Sequence, residues 1–265
     1  MNDIFNFKRF GLLFRKTILE RPVQLMGITG LILTATLVIY ALCLYFISFQ
    51  PAQNMAFIWG LVGGGCFLSS VVFGYFNTNA QGSAYLTLPA SAFEKWLCGI
   101  LFVGIFFLCT FLAFYKLIDM GFVTAYRNGL DKNNPAYKEL YNSVQYYPLD
   151  NNNIAKQSAM LFFNFTGAMM VGSLYFNRIA AIKTALVYFA ALAIIYFLNL
   201  LLAYSFFQNV DGAFPFHNIF IRAGNDNGSI ELPSSFSNIT YYFFAFIIPG
   251  ILWITTLIRL REKEI

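Results

Sequence analysis

The stretch Asn77–Trp96, N-T-N-A-Q-G-S-A-Y-L-T-L-P-A-S-A-F-E-K-W, joins two long apolar runs and is too polar at its start to stay in lipid. Its second half reads Leu88-Pro89-Ala90-Ser91 and then Glu94-Lys95. Ser91 followed by Glu94 is a capping-box pattern. The Ser hydroxyl accepts the Glu94 amide, and the Glu carboxylate reaches back to the Ser91 N–H. Pro89 lacks an N–H and stiffens the approach. The spacing predicts a short structured turn that starts a helix at Ala92. Two readings of this turn stand side by side: a tight connector between membrane helices, or a docking element for a soluble partner.

The sequence on either side makes this a membrane protein. The chain has 265 residues, 58% hydrophobic and only 11% charged, with 19% aromatic content and a mean hydropathy of +0.63. Soluble domains carry about 25% charge. Six apolar runs are each near or above the roughly 20 residues that span a bilayer. They are Val23–Phe49, Met55–Phe76, Ala92–Leu117, Ser158–Phe176, Thr184–Phe207 and Ile239–Ile258. The expected fold is all-α, a polytopic integral membrane protein with six transmembrane helices. The net charge of +5 sits at the ends of the runs, which is the pattern of membrane topology and not of nucleic-acid binding.

Residues 1–22 alternate apolar and basic residues. At about 100° per residue, Ile4, Phe7, Phe10, Gly11, Phe14 and Ile18 share a face, Arg9, Lys16 and Glu20 fall opposite, and Lys8 and Arg15 flank the stripe. This predicts an amphipathic helix lying in the headgroup plane with its cations toward anionic lipid. Arg21-Pro22 ends it. Residues 23–265 then form the six-helix domain.

Lys and Arg placement sets the orientation. Lys8, Arg9, Arg15, Lys16, Arg21, Lys95, Arg178, Lys183, Arg259, Arg261 and Lys263 share the side of the termini, eleven of the 17 basic residues. That side is cytoplasmic by the positive-inside rule. The loop 77–96 is then cytoplasmic, and the longer loops 124–157 and 208–238 are external. The first of these is polar and Tyr-rich, with Pro135. The second holds Phe214-Pro215 and the one histidine, His217. Its apolar pieces are too short to span. They fit short re-entrant helices as well as an ordinary extracellular loop.

No enzyme site is visible. One histidine leaves no H-E-x-x-H pair, and there is neither a G-x-S-x-G elbow nor a G-x-x-x-x-G-K-[ST] phosphate loop. No cofactor or metal is implied. Cys43, Cys66, Cys98 and Cys109 lie inside apolar runs and read as small buried apolar residues. Lys116 and Asp119 are spaced to pair along one helix face near the outer end of the third run. Thr34, Thr36, Asn164 and Asn199 are expected to hydrogen-bond between helices. Gly60, Gly63, Gly64 and Gly65 predict a close helix contact, and Pro249-Gly250 a kink in the last run.

The chain resembles the membrane-spanning subunit of ABC transporters of the ABC-2 exporter type. The resemblance rests on the basic amphipathic segment F-K-R-F-G-L-L-F-R-K, the six-span layout with both ends inside, and L-T-L-P-A-S-A-F-E-K-W-L. That last stretch is similar to the L-P-x-S/T-x-x-E-x-x-L stretch of many such permeases between spans two and three. The resemblance implies a permease that is not itself an enzyme, seated in the cell inner (cytoplasmic) membrane. Loop 77–96 would be its coupling helix, resting on a separate ATPase (nucleotide-binding) subunit, and a second permease subunit would complete the dimer. Tyr85, Leu86, Leu88, Pro89, Ser91, Glu94 and Lys95 are then the expected partner-binding residues, with the apolar ones in the partner's groove and Glu94 and Lys95 at its rim. The alternative is a polytopic assembly or scaffold subunit that moves nothing.

Overall fold

The computed structural model describes residues 5–263 apart from 21, 78, 133–135, 150–152, 177–178, 208–209, 216–217, 224–225 and 232. Ile4, Arg21, Pro135, Arg178 and His217, used in the sequence reading, lie outside the described residues. Among the described residues the α-helices are α1 (Phe7–Glu20), α4 (Asn79–Leu86), α6 (Tyr137–Ser143) and six long ones. The long ones are α2 (Leu25–Phe46), α3 (Phe49–Val72), α5 (Ala92–Asn128), α7 (Asn153–Tyr175), α8 (Ala180–Phe206) and α9 (Phe236–Glu262). All six are long and apolar enough to cross a membrane, and the chain is a multi-pass membrane protein.

Helix boundaries depart from the apolar runs where the backbone has no reason to stop. The third apolar run fades near Leu117, but α5 continues to Asn128, where the Gly129 N–H bonds back to the Ala125 carbonyl at 3.1 Å. Backbone hydrogen bonds continue as readily in water-facing turns as in lipid.

The spans pack unequally. α7 is the most enclosed of the six and α8 the least. The glycines of α3 let three neighbours approach. A Cβ at Gly60 would strike Thr36 of α2 and Phe111 of α5, one at Gly64 Ile32 and Phe107, and one at Gly65 Phe162 and Thr166 of α7. Gly63 faces only its own helix. The aromatic stack Phe107, Phe111, Tyr115 and Phe57 fills the space between α3 and α5. Thr34 and Thr36 turn back to carbonyls of their own helix, at 2.9 and 2.8 Å. Asn164 does cross between helices, donating to the Phe244 carbonyl of α9 at 2.7 Å. The short hydroxyls reach only the turn behind them, whereas an amide on a longer stem reaches a neighbour.

Stretches of α3, α5 and α9 (Trp59–Gly63, Leu101–Phe107 and Phe243–Ile247) are π-helical. The last directly precedes Ile248-Pro249, where the missing proline N–H already interrupts the ladder.

Among its described residues the segment 208–238 forms no short re-entrant helix. It carries an antiparallel sheet, β1 (Val210–Phe214), β2 (Asn218–Ala223) and β3 (Asp226–Glu231), in the order β1-β2-β3. The register sets Val210 opposite Ile221 and Ile219 opposite Ile230. Short β-branched and aromatic pieces satisfy their backbone by pairing with one another, which needs no covering protein. Val210 and Ala213 are buried with Ala203, and Ile219 packs beside them. The Asn199 amide donates to the Ala213 carbonyl at 3.1 Å and ties the sheet to α8. The fold is therefore predominantly helical, with this sheet as its exception.

Candidate functional site

The turn between α4 and α5 is built by local rules. Ser91 sits in extended backbone (φ −70, ψ 156) just before α5. Its Oγ accepts the Glu94 N–H at 3.2 Å, and its own N–H donates to Glu94 Oε2 at 3.0 Å, so both arms of the capping box are present. The same carboxylate also receives α1. Arg9 Nε donates to Oε2 at 2.7 Å and its Nη2 to Oε1 at 2.9 Å, while the Asn6 N–H donates to Oε1 at 2.8 Å.

Asn6 caps α1 in its turn, with its Oδ1 accepting the Lys8 N–H at 3.0 Å. Glu94 thus completes the caps of two helices at once. The partial positive charge at each helix start favours a carboxylate there. Its side chain is 0% exposed and that of Arg9 33%. The helical wheel set Arg9 on the polar face, opposite the packing stripe. The structure corrects this. Arg9 is half-buried against Glu94, because a guanidinium long enough to leave its own helix finds its partner on another. On α1, Leu13 is buried and Phe10, Phe14 and Ile18 are half-buried against the core. Phe14 stacks on Phe102 of α5 at 4.8 Å, and the Cys98 thiol lies 3.8 Å from the Thr17 hydroxyl.

Lys95 is also enclosed. Its Nζ donates to the Leu86 carbonyl, at the C-terminal end of α4, at 3.0 Å and lies 5.7 Å from the Tyr85 ring centre. A cation at a helix C-terminus is favourably placed. Tyr85 is buried, stacked on Tyr75 at 4.4 Å and edge-on to Phe76. Leu86 and Leu88 are half-buried against the cluster of Phe73, Met170, Leu174 and Leu260. Pro89 is exposed, as are Ser83, Ala84 and Thr87. Glu94 and Lys95 thus lie inside this chain and not at an exposed rim. Trp96 Nε1 donates to the Trp253 carbonyl at 2.8 Å, which joins the turn to α9.

A second polar centre lies at the opposite end of α5. Asp119 is 2% exposed. Its Oδ1 accepts the Tyr40 hydroxyl at 2.7 Å and Gln53 Nε2 at 2.8 Å, and its Oδ2 accepts the Tyr147 N–H at 2.8 Å. The expected pair with Lys116 is not formed. Lys116 is exposed, and Asp119 turns into the bundle. The two residues are close enough in sequence to share a face, but neutral donors on α2, on α3 and in the segment before α7 offer the carboxylate three bonds without holding a flexible lysine.

Three side chains of the bundle strap the extended segment 144–149 across this end. Arg127 Nη2 donates to the Val144 carbonyl at 2.6 Å, Gln53 Nε2 to the Gln145 carbonyl at 3.0 Å, and Asp119 holds the Tyr147 N–H. The Arg127 guanidinium also lies over the rings of Tyr141 and Tyr146, at 4.4 and 5.2 Å. Two cavities flank the strap, one of ≈ 180 Å³ beside Asp119 and Tyr147 and one of ≈ 590 Å³ lined by Gln50, Gln53, Asn54, Gln145, Tyr146 and Asn153. Burial, and then the Asp119 charge, push the Tyr147 phenol above its ordinary pKa.

The sequence reading missed Arg9 and Asn6 at the first centre and Tyr40, Gln53 and Tyr147 at the second. Asn6 ahead of a periodic run was a legible cap signal. The others carry no local signal. Among the described residues no group of three or more His, Cys, Asp or Glu could hold a metal ion. No protein-family model, curated protein or solved structure matches the chain.

Proposed function

We propose that the chain is the permease subunit of an ATP-driven exporter of the ABC-2 type. It works with a separate ATPase subunit and a second permease subunit in the cell inner membrane, with both termini cytoplasmic. The observation that carries this reading is the Glu94 junction. One buried carboxylate joins the start of α1 to the start of α5, so a load applied to the α4–α5 turn moves both. A coupling element needs that stiffness, and a simple connector does not. Trp96 extends the linkage to α9.

On this reading α1 lies at the inner-leaflet interface. Phe7, Leu12 and Leu19 are exposed on it beside Lys8, Arg15 and Lys16, so apolar and cationic side chains are both available to the interface. The ATPase meets Pro89, Thr87, Ser83 and Ala84, which are exposed, on a surface shaped from beneath by Tyr85, Leu86 and Leu88. Ser91, Glu94 and Lys95 act from below that surface, holding it in place.

The test is a photo-crosslinking residue at Thr87 or at Pro89, irradiated in native membranes. The expected adduct is a nucleotide-binding ATPase subunit, and the purified complex hydrolyses ATP. A crosslinker that captures only other polytopic membrane proteins at both positions sinks the transport reading in favour of the scaffold.

A further inference from the structure

We propose that the ≈ 590 Å³ cavity at the far end of the bundle binds a neutral glycosyl group. The inference does not rest on the ATP-coupled reading.

The first argument is that the site is built. Its volume falls within the about 300–1,000 Å³ typical of small-molecule sites. One wall is the start of α3, with Gln50, Gln53 and Asn54, and another is the start of α7, with Asn153. The third is the extended segment carrying Gln145 and Tyr146. That segment has little reason to be straight by itself, yet Arg127, Gln53 and Asp119 each hold one of its backbone groups. Three buried or half-buried polar side chains thus fix a loop whose remaining product is a wall of side chains. Such support keeps a recognition surface in place before its ligand arrives.

The second argument is the chemistry of the lining. Among the described residues no Lys, Arg, Asp or Glu lines the cavity. Among these described lining residues an ionic ligand would find no counter-charge to replace its hydration. The groups that do line it are mainly amides, each carrying a donor pair and an acceptor, with Ser143, the half-exposed ring of Tyr146, Tyr147, and the apolar Pro148 and Ile154 beside them. Vicinal hydroxyls alternate donor and acceptor at the spacing an amide matches, and the C–H face of a pyranose packs on an aromatic ring.

The third argument excludes a peptide added as an extra strand. Such binding needs free backbone N–H and C=O groups on the receiving edge. Here the Val144 and Gln145 carbonyls and the Tyr147 N–H are already engaged by side chains. Recognition then falls chiefly to the lining side chains. Free oligosaccharides and glycolipid headgroups share the chemistry that fits.

The experiment uses the purified full-length protein in nanodiscs, with binding read by titration calorimetry in two arms. The soluble arm uses neutral di- and tetrasaccharides of glucose, galactose, mannose and N-acetylglucosamine. The lipid arm uses nanodiscs doped with a neutral diglucosyl diacylglycerol and reads its retention through delipidating washes. Sialyllactose and a neutral tripeptide are the controls. Asn54→Leu and Gln50→Leu change lining side chains that hold none of the strap's backbone groups, so both should leave the melting temperature unchanged. Each should weaken the bound neutral glycoside about tenfold. Binding in the soluble arm supports a free saccharide, and binding in the lipid arm alone supports a glycolipid headgroup. The proposal is overturned if neither arm binds, if binding survives both variants, or if the acidic sugar or the peptide is what the variants lose.

Discussion

Glu94 and Asp119 sit on the same helix, α5, both almost without exposure, and they are held in different ways. Glu94 is met by a guanidinium and two helix N-termini, Asp119 by a phenol, an amide and a backbone N–H. At the first, charge answers charge, and the partner side chain is one third exposed at the edge of the molecule. At the second, neutral donors from α2, α3 and the strapped segment converge on the charge inside the bundle. The first arrangement fastens a peripheral helix to a turn and tolerates movement of both together. The second pins three elements to each other and suits a rigid frame around a cavity.

The largest effect is expected at Glu94. Arg9→Asp removes the guanidinium and sets a second carboxylate against a buried one. Breaking a buried pair costs roughly 3–5 kcal/mol, and the low end applies because Arg9 is 33% exposed. A disulfide between cysteines at Phe5 and Phe93, whose ring centres lie 6.2 Å apart, should form in the parent and fail in the Arg9→Asp chain. Lys8→Asp, on an exposed neighbour, is the control. Equal crosslinking in all three chains would dissolve the first half of the comparison.

Asp119→Asn should come next. The amide keeps the shape but turns an NH₂ toward groups that are themselves donors, at a cost of about 1–3 kcal/mol. Expected readouts are a lower melting temperature in detergent and faster proteolysis within 137–149. Fast proteolysis without loss of stability would mean that Asp119 serves only the strap.

Tyr40→Phe removes one of the three donors and should cost about 1 kcal/mol, less than Asp119→Asn in the same melting assay. A larger loss from Tyr40→Phe would show that the ring stack with Tyr115, and not the hydroxyl, holds this end.

Ser91→Ala should be the mildest. It deletes one arm of the cap, typically about 1 kcal/mol, while Glu94 still accepts the Ser91 N–H and the Arg9 guanidinium. Crosslinking between positions 5 and 93 should persist. Its loss would mean that the serine hydroxyl, and not Arg9, orients the carboxylate.

Some of this was legible because it is local. Ser91 and Glu94 are three residues apart, and a cap is written within one turn. Asn164 and Asn199 were expected to bridge and do, although Asn199 bridges to a strand. Thr34 and Thr36 were expected to bridge and do not, since each has a carbonyl of its own helix within easier reach. In 208–238 the apolar pieces are too short for periodicity to separate strand from helix, and the pairing that made them strands is an interaction between pieces.

By itself the sequence determined the apolar lengths of the six spans, the cap at Ser91 and the charge asymmetry of the ends, because lipid thickness and single-turn hydrogen bonding act on neighbours in the chain. Tertiary structure alone decided which face of each helix turned inward. It brought Arg9 to Glu94 across 85 positions and Tyr40 to Asp119 across 79. It also set Lys116 outside and Asp119 inside. A buried carboxylate requires donors, and the nearest in space were supplied by helix packing, which no spacing along one helix records.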